Sequence, residues 1–323
     1  MTANSLSVRV VMSVVTYKRA IVPTLWPAGL GRVESGGFEL QVSSDWRFIP
    51  ETFDEVCDWA TVVAHQDEDD NRRRGNYHIV YQPTVLPQDK HTKQIEVTVV
   101  LQGFLGDCNI GMLGNWNRKE TSAVSAVQYL TLLSGGYTEI FEAQQAALDR
   151  LRLLVTTKWG AEVEETMAVN EGIRLRRPVF TMVRAYGPPV RAVGLGEATD
   201  PGAKARRLAK KWVVDHVIWT GVRRPNGDNM EVAPSSLQRG DFVEVTAFAD
   251  VQVLRGKKGA GTIVHFAVMD VVKLWSVADL KNLERQTQLT FAQSSDGAGP
   301  SAVEQMPSRF LIGGKRGNMM DVQ

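Results

Sequence analysis

Residues 237–275 read LQRGDFVEVTAFADVQVLRGKKGAGTIVHFAVMDVVKLW, two long runs of alternating apolar and polar residues around the basic, glycine-rich segment 255–261. Alternation with a period of two is typical of β-strands, whose successive side chains point to opposite faces. Two such runs on either side of a glycine-containing segment predict a β-hairpin with a longer loop. We expect the rest of the chain to be organised around this hairpin.

The pairing register of the hairpin follows from its apolar faces. Opposed residues of an antiparallel pair lie on the same face, so the two apolar sets meet only when paired residue numbers have an odd sum. The register that we predict pairs Val251 with Phe266, Val245 with Val272, Val243 with Leu274, Glu244 with Lys273 and Phe242 with Trp275. It also puts Asp270 on the core face, which predicts a β-bulge near residues 269–271.

The other face of the hairpin mixes aromatic with basic side chains. Such a face can stack the bases of a single strand, because every base offers a π-face. Arg255, Lys257 and Lys258 of the loop would contact phosphates while the loop glycines let the backbone approach closely. We therefore predict a nucleic-acid-binding surface made of Phe242, Phe248, Arg255, Lys257, Lys258, His265, Lys273 and Trp275. The alternative is that a helix or another domain covers this face, since half-exposed aromatics are more often packed.

The strand Gly240-Asp241-Phe242-Val243-Glu244-Val245, continuing through the hairpin, resembles a barrel strand of the oligonucleotide-binding (OB) folds. In that family a G-D-x-V-x-V strand commonly leads into a hairpin that grips nucleic acid. The resemblance covers residues 179–283 and implies an OB-like β-barrel there. It also implies single-stranded DNA or RNA as the partner.

Charge is distributed unequally along the 323 residues. Residues 1–150 contain 13 Lys and Arg against 18 Asp and Glu, a net charge of −5, whereas residues 151–283 contain 20 against 14, a net charge of +6. The basic part is the one with the hairpin, which favours a polyanion as its partner. The hydrophobic content of 43% and the charged content of 23% are those of an ordinary globular protein with a sizeable core.

The predicted fold class is α+β and β-rich, with two antiparallel β-domains and few short helices. Residues 139–155 have apolar side chains at helical spacing and form the clearest helix, and we place a domain boundary just after it. The N-terminal domain is then residues 1–160 and the OB-like barrel domain residues 161–285. Residues 286–323 are polar and rich in Gly and Ser, so we expect a disordered tail.

Three shorter segments carry local signals. Residues 50–60 begin with Pro and acidic residues, as a helix N-terminus does. Ser276 is a suitable N-cap, with Asp279 at the third position of a capping box. Residues 203–211 predict a short basic helix whose cations form a solvated face, with phosphate binding as the less favoured alternative.

The sequence offers no motif for catalysis. None of the five histidines has metal-ligand spacing, the charged run 65–75 reads as a solvated loop, and there is no nucleophile elbow, Walker sequence or HExxH. Asp215 and His216 are adjacent in a predicted strand and would point to opposite faces. We therefore assign no catalytic residue, metal ligand or cofactor, although distant residues could still form an active site in the fold.

Targeting signals are equally sparse. The two cysteines, Cys57 and Cys108, do not form a disulfide framework, which fits a reducing compartment. No apolar run reaches the about 18 residues of a membrane span. We expect an intracellular protein of the nucleus or cytoplasm, without a membrane partner.

Three functions compete on this sequence. The first is single-stranded nucleic-acid binding by the hairpin. The second is a structural or assembly protein, with a homo-oligomer or another protein as its partner and the aromatic face buried. The third and least favoured is an enzyme. Strong salt dependence of binding to single strands favours the first, and a stable oligomer without nucleic acid favours the second.

Overall fold

The long hairpin lies in the middle of one large mixed β-sheet. The computed structural model describes residues 12–31, 45–64, 77–91, 94–159, 172–183, 190–256, 259–283 and 285. Within them, a 12-stranded sheet and a separate two-stranded pair contain the strands β1 (Met12–Tyr17), β2 (Ala20–Ile21), β3 (Phe48–Ile49), β4 (Ala60–Ala64), β5 (Tyr77–Tyr81), β6 (Thr98–Asn109), β7 (Val127–Leu133), β8 (Ile173–Pro178), β9 (Thr181–Met182), β10 (Trp212–Val213), β11 (Trp219–Arg223), β12 (Asn229–Glu231), β13 (Phe242–Gly256) and β14 (Gly259–Trp275).

The helices of the described residues are few and mostly short. They are α1 (Val22–Leu25), α2 (Phe53–Trp59), α3 (Thr138–Trp159), α4 (Lys204–Arg207) and a helical segment at residues 277–283. Single 3₁₀ turns occur at Pro27–Gly29, Pro83–Val85, Gln88–Lys90, Glu120–Ser125 and Pro234–Ser236. The β-rich composition predicted from the sequence is confirmed.

Strands β13 and β14 form the predicted antiparallel hairpin. Their pairing continues outward to Gly256 opposite Gly259, so only residues 257 and 258 join the two strands. The longer loop that we predicted over residues 255–261 is therefore wrong. Glycines usually favour loops, but here Gly256 lies opposite Gly259 and Gly261 opposite Leu254, so all three extend the ladder.

The register is right at one end of the hairpin and wrong elsewhere. Phe242 does lie opposite Trp275, but the ladder shifts after Phe242 and again between Thr246 and Ala247. The second shift passes over Met269, which confirms the predicted bulge. The observed pairs that replace the predicted ones are Val243 with Lys273, Glu244 with Val272, Val245 with Val271 and Val251 with Val264. The two shifts change the parity of the paired residue numbers, which an uninterrupted ladder would have kept.

The sheet joins the two halves of the chain. β13 pairs with β6 over seven residue pairs, from Phe242 opposite Phe104 to Phe248 opposite Thr98. One hydrophobic cluster contains residues of both halves, such as Leu101 beside Val245. The strands of residues 1–160 and 161–285 therefore do not form the two separate antiparallel sheets that we predicted. The alternation of side chains within a strand does not reveal which distant strand it pairs with.

Two further details of the predicted architecture need correction. β1 pairs in parallel with β3 and β6, and β11 pairs in parallel with β14, so the sheet is mixed rather than antiparallel. Among the described residues, β8 pairs with β7 but has no backbone pairing with β14. The closed OB-like barrel that we predicted is therefore not found.

Helix α3 covers the large core and completes one strand edge. The predicted helix at residues 139–155 is confirmed, and Phe141, Leu148 and Leu151 are buried against the sheet. The Gln144 side chain accepts from the backbone N–H of Gln102 at 2.7 Å and donates to its carbonyl at 2.8 Å. Because buried backbone groups need partners, this side chain takes the place of a neighbouring strand.

Local helix signals were reliable. Thr52 caps α2 through a capping box with Glu55. Ser276 and Asp279 exchange hydrogen bonds as predicted, with the Asp279 N–H donating to Ser276 Oγ at 3.2 Å and the Ser276 N–H donating to the Asp279 carboxylate at 3.0 Å. α4 is shorter than the predicted residues 203–211. The charged run 65–75 and the predicted tail 286–323 lie outside the described residues.

A second, smaller hydrophobic cluster lies apart from the main one. We call it the small core; it contains Trp116, Ala123, Ala126, Val179, Phe180, Ala205 and Val214. The rings of Trp116 and Phe180 meet edge to face with centroids 5.0 Å apart. This cluster fixes α4 and the β9–β10 pair to the ends of β7 and β8.

Candidate nucleic-acid interface

Arginines of β8 face the edge of β14 along the middle of the hairpin. In β8 the side chains of Ile173 and Leu175 are buried, whereas Arg174 is exposed and Arg176 is half-buried. Arg176 donates from Nε and Nη2 to Nδ1 of His265 at 3.1 and 2.8 Å. Arg177 donates from Nη1 to the carbonyl of Val268 at 3.1 Å, although β8 and β14 have no backbone pairing. Its guanidinium carbon lies 5.5 Å from the Phe248 ring centroid. With Arg152 of α3 these residues are the arginine strip (Arg152, Arg174, Arg176 and Arg177).

The strip continues as a row of side chains across several strands. Tyr129 of β7 lies opposite Arg176, and His265 lies opposite Asp250. The Arg176–His265 hydrogen bonds join these two pairs into a row of four. Tyr129, Arg176 and His265 are half-buried and Asp250 is buried, so the partly accessible part of the row combines a cation, an aromatic ring and an imidazole.

Burial and two arginines disfavour the protonated form of His265 in this row. Burial, followed by the positive charges of Arg176 and Arg152, lowers the pKa of His265 to about 4. An arginine can only donate, so the ring nitrogen facing Arg176 must accept, which requires neutral His265. Arg152 itself lies 5.0 Å from the Phe266 ring centroid and pairs with Asp149 at 2.5 Å. Burial and the two neighbouring cations thus act in the same direction, against a proton on His265.

The depressed pKa of His265 predicts a pH dependence of stability. In the unfolded protein His265 binds a proton below its ordinary pKa of 6.5. In the folded protein it binds one only below a pH of about 4. The free energy of unfolding should therefore decrease as the pH falls from about 6.5 to about 4, and the contribution of neutral His265 should be complete above this range. Urea unfolding at pH about 7.5 and about 5 measures the decrease. His265→Gln should show a smaller decrease, since Gln still accepts from Arg176 but does not titrate; an equal decrease in both proteins would contradict this role.

Two of the predicted stacking aromatics are not available at the surface. Phe242 is 0% exposed and contacts Phe104 and Trp26, with ring centroids 5.1 and 4.9 Å apart. Phe248 is 3% exposed and lies beneath Arg177. The expectation of an open platform at these residues is wrong, because both faces of β13 are covered by residues of the same chain.

The remaining predicted residues divide into three groups. Trp275 is half-buried and donates from Nε1 to the carbonyl of Leu30 at 2.9 Å. Lys273 donates to the carbonyl of Ser236 at 2.7 Å and pairs with Asp241 at 3.3 Å. Both therefore help to fix the hairpin. His265 belongs to the arginine strip's row. The side chains of Arg255, Lys257 and Lys258 lie outside the described residues.

The β8 arginines and Tyr129 were missed from the sequence. The signal was present in residues 173–178, IRLRRP, where Ile and Leu alternate with Arg. Such alternation is typical of a strand but does not reveal the neighbouring strand, since only the fold brings β8 beside β14.

The site contains no obvious catalytic arrangement. Contrary to our expectation, Nδ1 of His216 donates to Oδ1 of Asp215 at 2.8 Å, because residues 214–218 are not a regular strand. Nε2 of His216 is occupied by Gln128 at 2.8 Å, and burial lowers the pKa of this imidazole. Among the described residues no three His, Cys, Asp or Glu side chains are grouped to hold a metal. No described helix is long and apolar enough to cross a membrane.

Comparison with known proteins gives only weak likenesses. No protein-family model matches the chain, and no curated protein matches it. Among solved structures, the single-stranded DNA-binding protein of bacteriophage Enc34, with a C-terminal truncation, is 8% identical at a TM-score of 0.29, covering 66% of this chain and 93% of its own. The same phage protein in complex with ssDNA gives 10% identity and a TM-score of 0.24, covering 66% and 94%. The single-stranded DNA-binding protein gp2.5 of bacteriophage T7 is 7% identical at 0.26, covering 55% and 91%. TM-scores of this size do not establish a shared fold.

Proposed function

We propose that the chain binds single-stranded nucleic acid along the arginine strip. The observation that carries this is the set of β8 arginines beside β14, where Arg176 donates to His265 and, after burial, adds to the lowering of the pKa of that imidazole. Guanidinium groups are planar forks of donors that match phosphate oxygens, and they stay charged at any physiological pH. A phosphodiester backbone laid along β8 would meet Arg174 and Arg176, which are two residues apart on the same face of that strand.

Tyr129 gives the site its preference for an unpaired strand. Tyr129 lies opposite Arg176 and is half-buried, so an aromatic ring and a guanidinium group lie next to each other in the row. Bases of a single strand can turn out and stack on such a ring, whereas bases in a duplex are already stacked. Phosphate contacts at the arginines and stacking at Tyr129 would act on the same nucleotide or on adjacent ones.

The outer end of the hairpin supplies a second support. We call residues 252–263 the hairpin arm; beyond Val251, which still pairs with Tyr77 of β5, the described residues of the arm pair only with each other. The five residues 252–256 extend it by about 16 Å at the usual rise of a strand. Its end carries Arg255, Lys257 and Lys258, and we propose that these contact phosphates, as the sequence predicts.

The assembly alternative has lost its main support. It required a partner to cover the aromatic face of the hairpin. That face is covered by the chain itself, with Trp26 and Phe104 against Phe242 and Arg177 against Phe248. The burial of these aromatics therefore needs no second molecule.

Charge reversal at the end of the arm tests its role. Lys257→Glu with Lys258→Glu should weaken binding of a labelled oligothymidine of about 20 nucleotides by about tenfold, because the lost phosphate contacts become repulsions. The loss should be the same for oligocytidine, since phosphate contacts carry no base identity. The plot of log K against log salt should flatten by about 0.7 for each lost contact. Fluorescence anisotropy in a salt series measures all three.

The matched control is Arg19→Glu with Lys281→Glu, which changes the net charge equally at exposed residues away from the arginine strip and the arm. Equal affinities of the two double variants would remove the arm from the site. Absence of binding by the wild-type protein at low salt would refute the proposed function itself.

A further inference from the structure

A second cationic surface lies on the small core, apart from the arginine strip. We call it the cationic patch (Arg118, Lys119, Lys204, Arg207 and Lys210); all five residues are exposed. The described segments around the small core, residues 111–126, 179–183 and 190–216, contain eight Lys and Arg against four Asp and Glu, a net charge of +4. A solvated face normally mixes both signs, so this excess requires an account.

The four carboxylates of these segments are all engaged. Glu120 pairs with Lys211 at 2.8 Å, and Glu197 pairs with Arg206 at 3.5 Å. Asp200 is 1% exposed and accepts from the backbone N–H groups of Ala205 and Arg206 at 3.0 and 3.1 Å.

Asp215 is the fourth carboxylate, and it accepts from Thr181 and contacts His216. Within the part of the chain that the structure describes, no acidic side chain pairs with a cation of the patch. All five cations of the patch are exposed.

The patch is held in a fixed arrangement by the fold. Ala205 is buried in the small core, so Lys204 and Arg207 point away from it, with Cβ atoms about 5–6 Å apart as for any i,i+3 pair on a helix. The Glu120–Lys211 ion pair brings residues 118–120 beside the end of α4.

The loop that carries Arg118 and Lys119 is also tied down. Trp116 donates from Nε1 to the carbonyl of Lys119 at 2.9 Å, and Asn117 Oδ1 accepts from the Lys119 N–H at 3.0 Å. Arg118 itself has a φ of 66°, a conformation that non-glycine residues seldom adopt. Two separate chain segments thus present cations on one rigid support.

The patch adjoins one end of the arginine strip. Gln128 lies opposite Arg177 across β7 and β8, and its side chain contacts Nε2 of His216 at 2.8 Å, at the border of the small core. A single-stranded nucleic acid that leaves the arginine strip at Arg177 would therefore reach the side of the protein that carries α4.

We propose that the cationic patch is a second phosphate-contacting surface, so that one protein molecule engages two segments of the same single strand. The inference shares its ligand with the proposed function and rests on it to that extent. A second contact on a strand already held at the arginine strip is intramolecular, and it raises the affinity without needing strong contacts of its own. Short strands that occupy only the strip gain nothing from it.

The test compares two strand lengths in the full-length protein. Lys204→Glu with Arg207→Glu should weaken binding of an oligothymidine of about 40 nucleotides by about tenfold and leave binding of one of about 8 nucleotides within about twofold of wild type. The variant with Arg19→Glu and Lys281→Glu controls for net charge. Lys204→Gln with Arg207→Gln should shift the same affinities in the same direction by less, and an unchanged melting temperature confirms that both variants are folded.

The outcomes separate this inference from the proposed function. If the charge reversal on α4 leaves the affinity for the long strand like that of the control, the patch is not a phosphate contact and the inference is overturned. If it weakens the short strand as much as the long one, the patch is part of the primary site and the two-segment inference is equally overturned. If reversal at the patch weakens the long strand while reversal at Arg174 and Arg176 has no effect, the patch binds the strand by itself, and both the proposed site and the two-segment inference are overturned.

Discussion

Reversing the charges of Arg174 and Arg176 to glutamate is expected to weaken binding of a labelled single strand by about 100-fold. A hydrogen bond to a charged group contributes about 1.5–3 kcal/mol, so each lost phosphate contact costs about tenfold or more in affinity. The two residues lie on one face of β8. His265 accepts a hydrogen bond from Arg176 and so fixes the orientation of its guanidinium group. Two lost contacts should also flatten the salt dependence by about 1.4 in log K per log salt. Anisotropy titrations of an oligothymidine at several salt concentrations measure both quantities.

Two controls accompany this variant. Arg174→Lys with Arg176→Lys keeps the charge but loses the forked donors, so its affinity should fall between the wild type and the double glutamate. Arg19→Glu with Lys281→Glu has the same charge change elsewhere and should bind almost as the wild type does. A double glutamate variant with wild-type affinity and wild-type salt slope would place the nucleic acid, if bound, somewhere other than β8.

The largest effect on stability is expected at Arg223. Its Nη2 lies 2.7 Å from Glu244 Oε1, and the two side chains are 3% and 12% exposed. Gln102 Nε2 donates to the other carboxylate oxygen of Glu244 at 2.7 Å, and Asn229 accepts from Arg223 Nε at 3.1 Å. Arg223→Met leaves the buried carboxylate without its cation and should lower the free energy of unfolding by about 3–5 kcal/mol. Urea unfolding followed by tryptophan fluorescence gives this difference.

A double-mutant cycle identifies the cause of the loss. Arg223→Met combined with Glu244→Gln removes both charges, so the pair should be destabilised by clearly less than the sum of the single variants. Strict additivity would mean that the two residues do not interact. The network matters beyond its energy, because it ties β6, β11 and β13 together.

Local signals in the sequence predicted local structure well. The alternation of residues 242–275 gave the hairpin, and the misplaced Asp270 gave the bulge at Met269. The spacing of Phe141, Leu148 and Leu151 gave α3, and Ser276 with Asp279 gave a capping box. In each case the information lies within a few residues of where it acts.

Long-range pairing was beyond the same reasoning. Alternation in β13 suggested one buried face, yet Phe242 and Phe248 on the other face are buried too. A strand that has neighbours on both edges and is covered on both faces can bury a polar side chain when another residue of the chain pairs with it. Glu244 is accommodated in this way by its ion pair with Arg223. Nothing near residue 244 in the sequence announces Arg223.

The candidate site suffered from the same limit. His265 stays a predicted site residue, and its hydrogen-bond partner Arg176 is 89 residues away in the chain. The cations of β8 could be recognised in the sequence as an alternating strand, not as neighbours of the hairpin. The predicted phosphate-binding residues at the end of the arm stay a prediction.

The most direct test of single-stranded nucleic-acid binding is a titration of the purified, nucleic-acid-free protein with a labelled oligothymidine across a salt series. We expect saturable binding at low salt whose log K falls linearly with log salt, by about 0.7 for each phosphate contacted. Unlabelled single strands should compete far better than a duplex of equal length, because Tyr129 can stack only on unpaired bases. Absence of saturable binding at low salt, or equal competition by the duplex, would contradict the account.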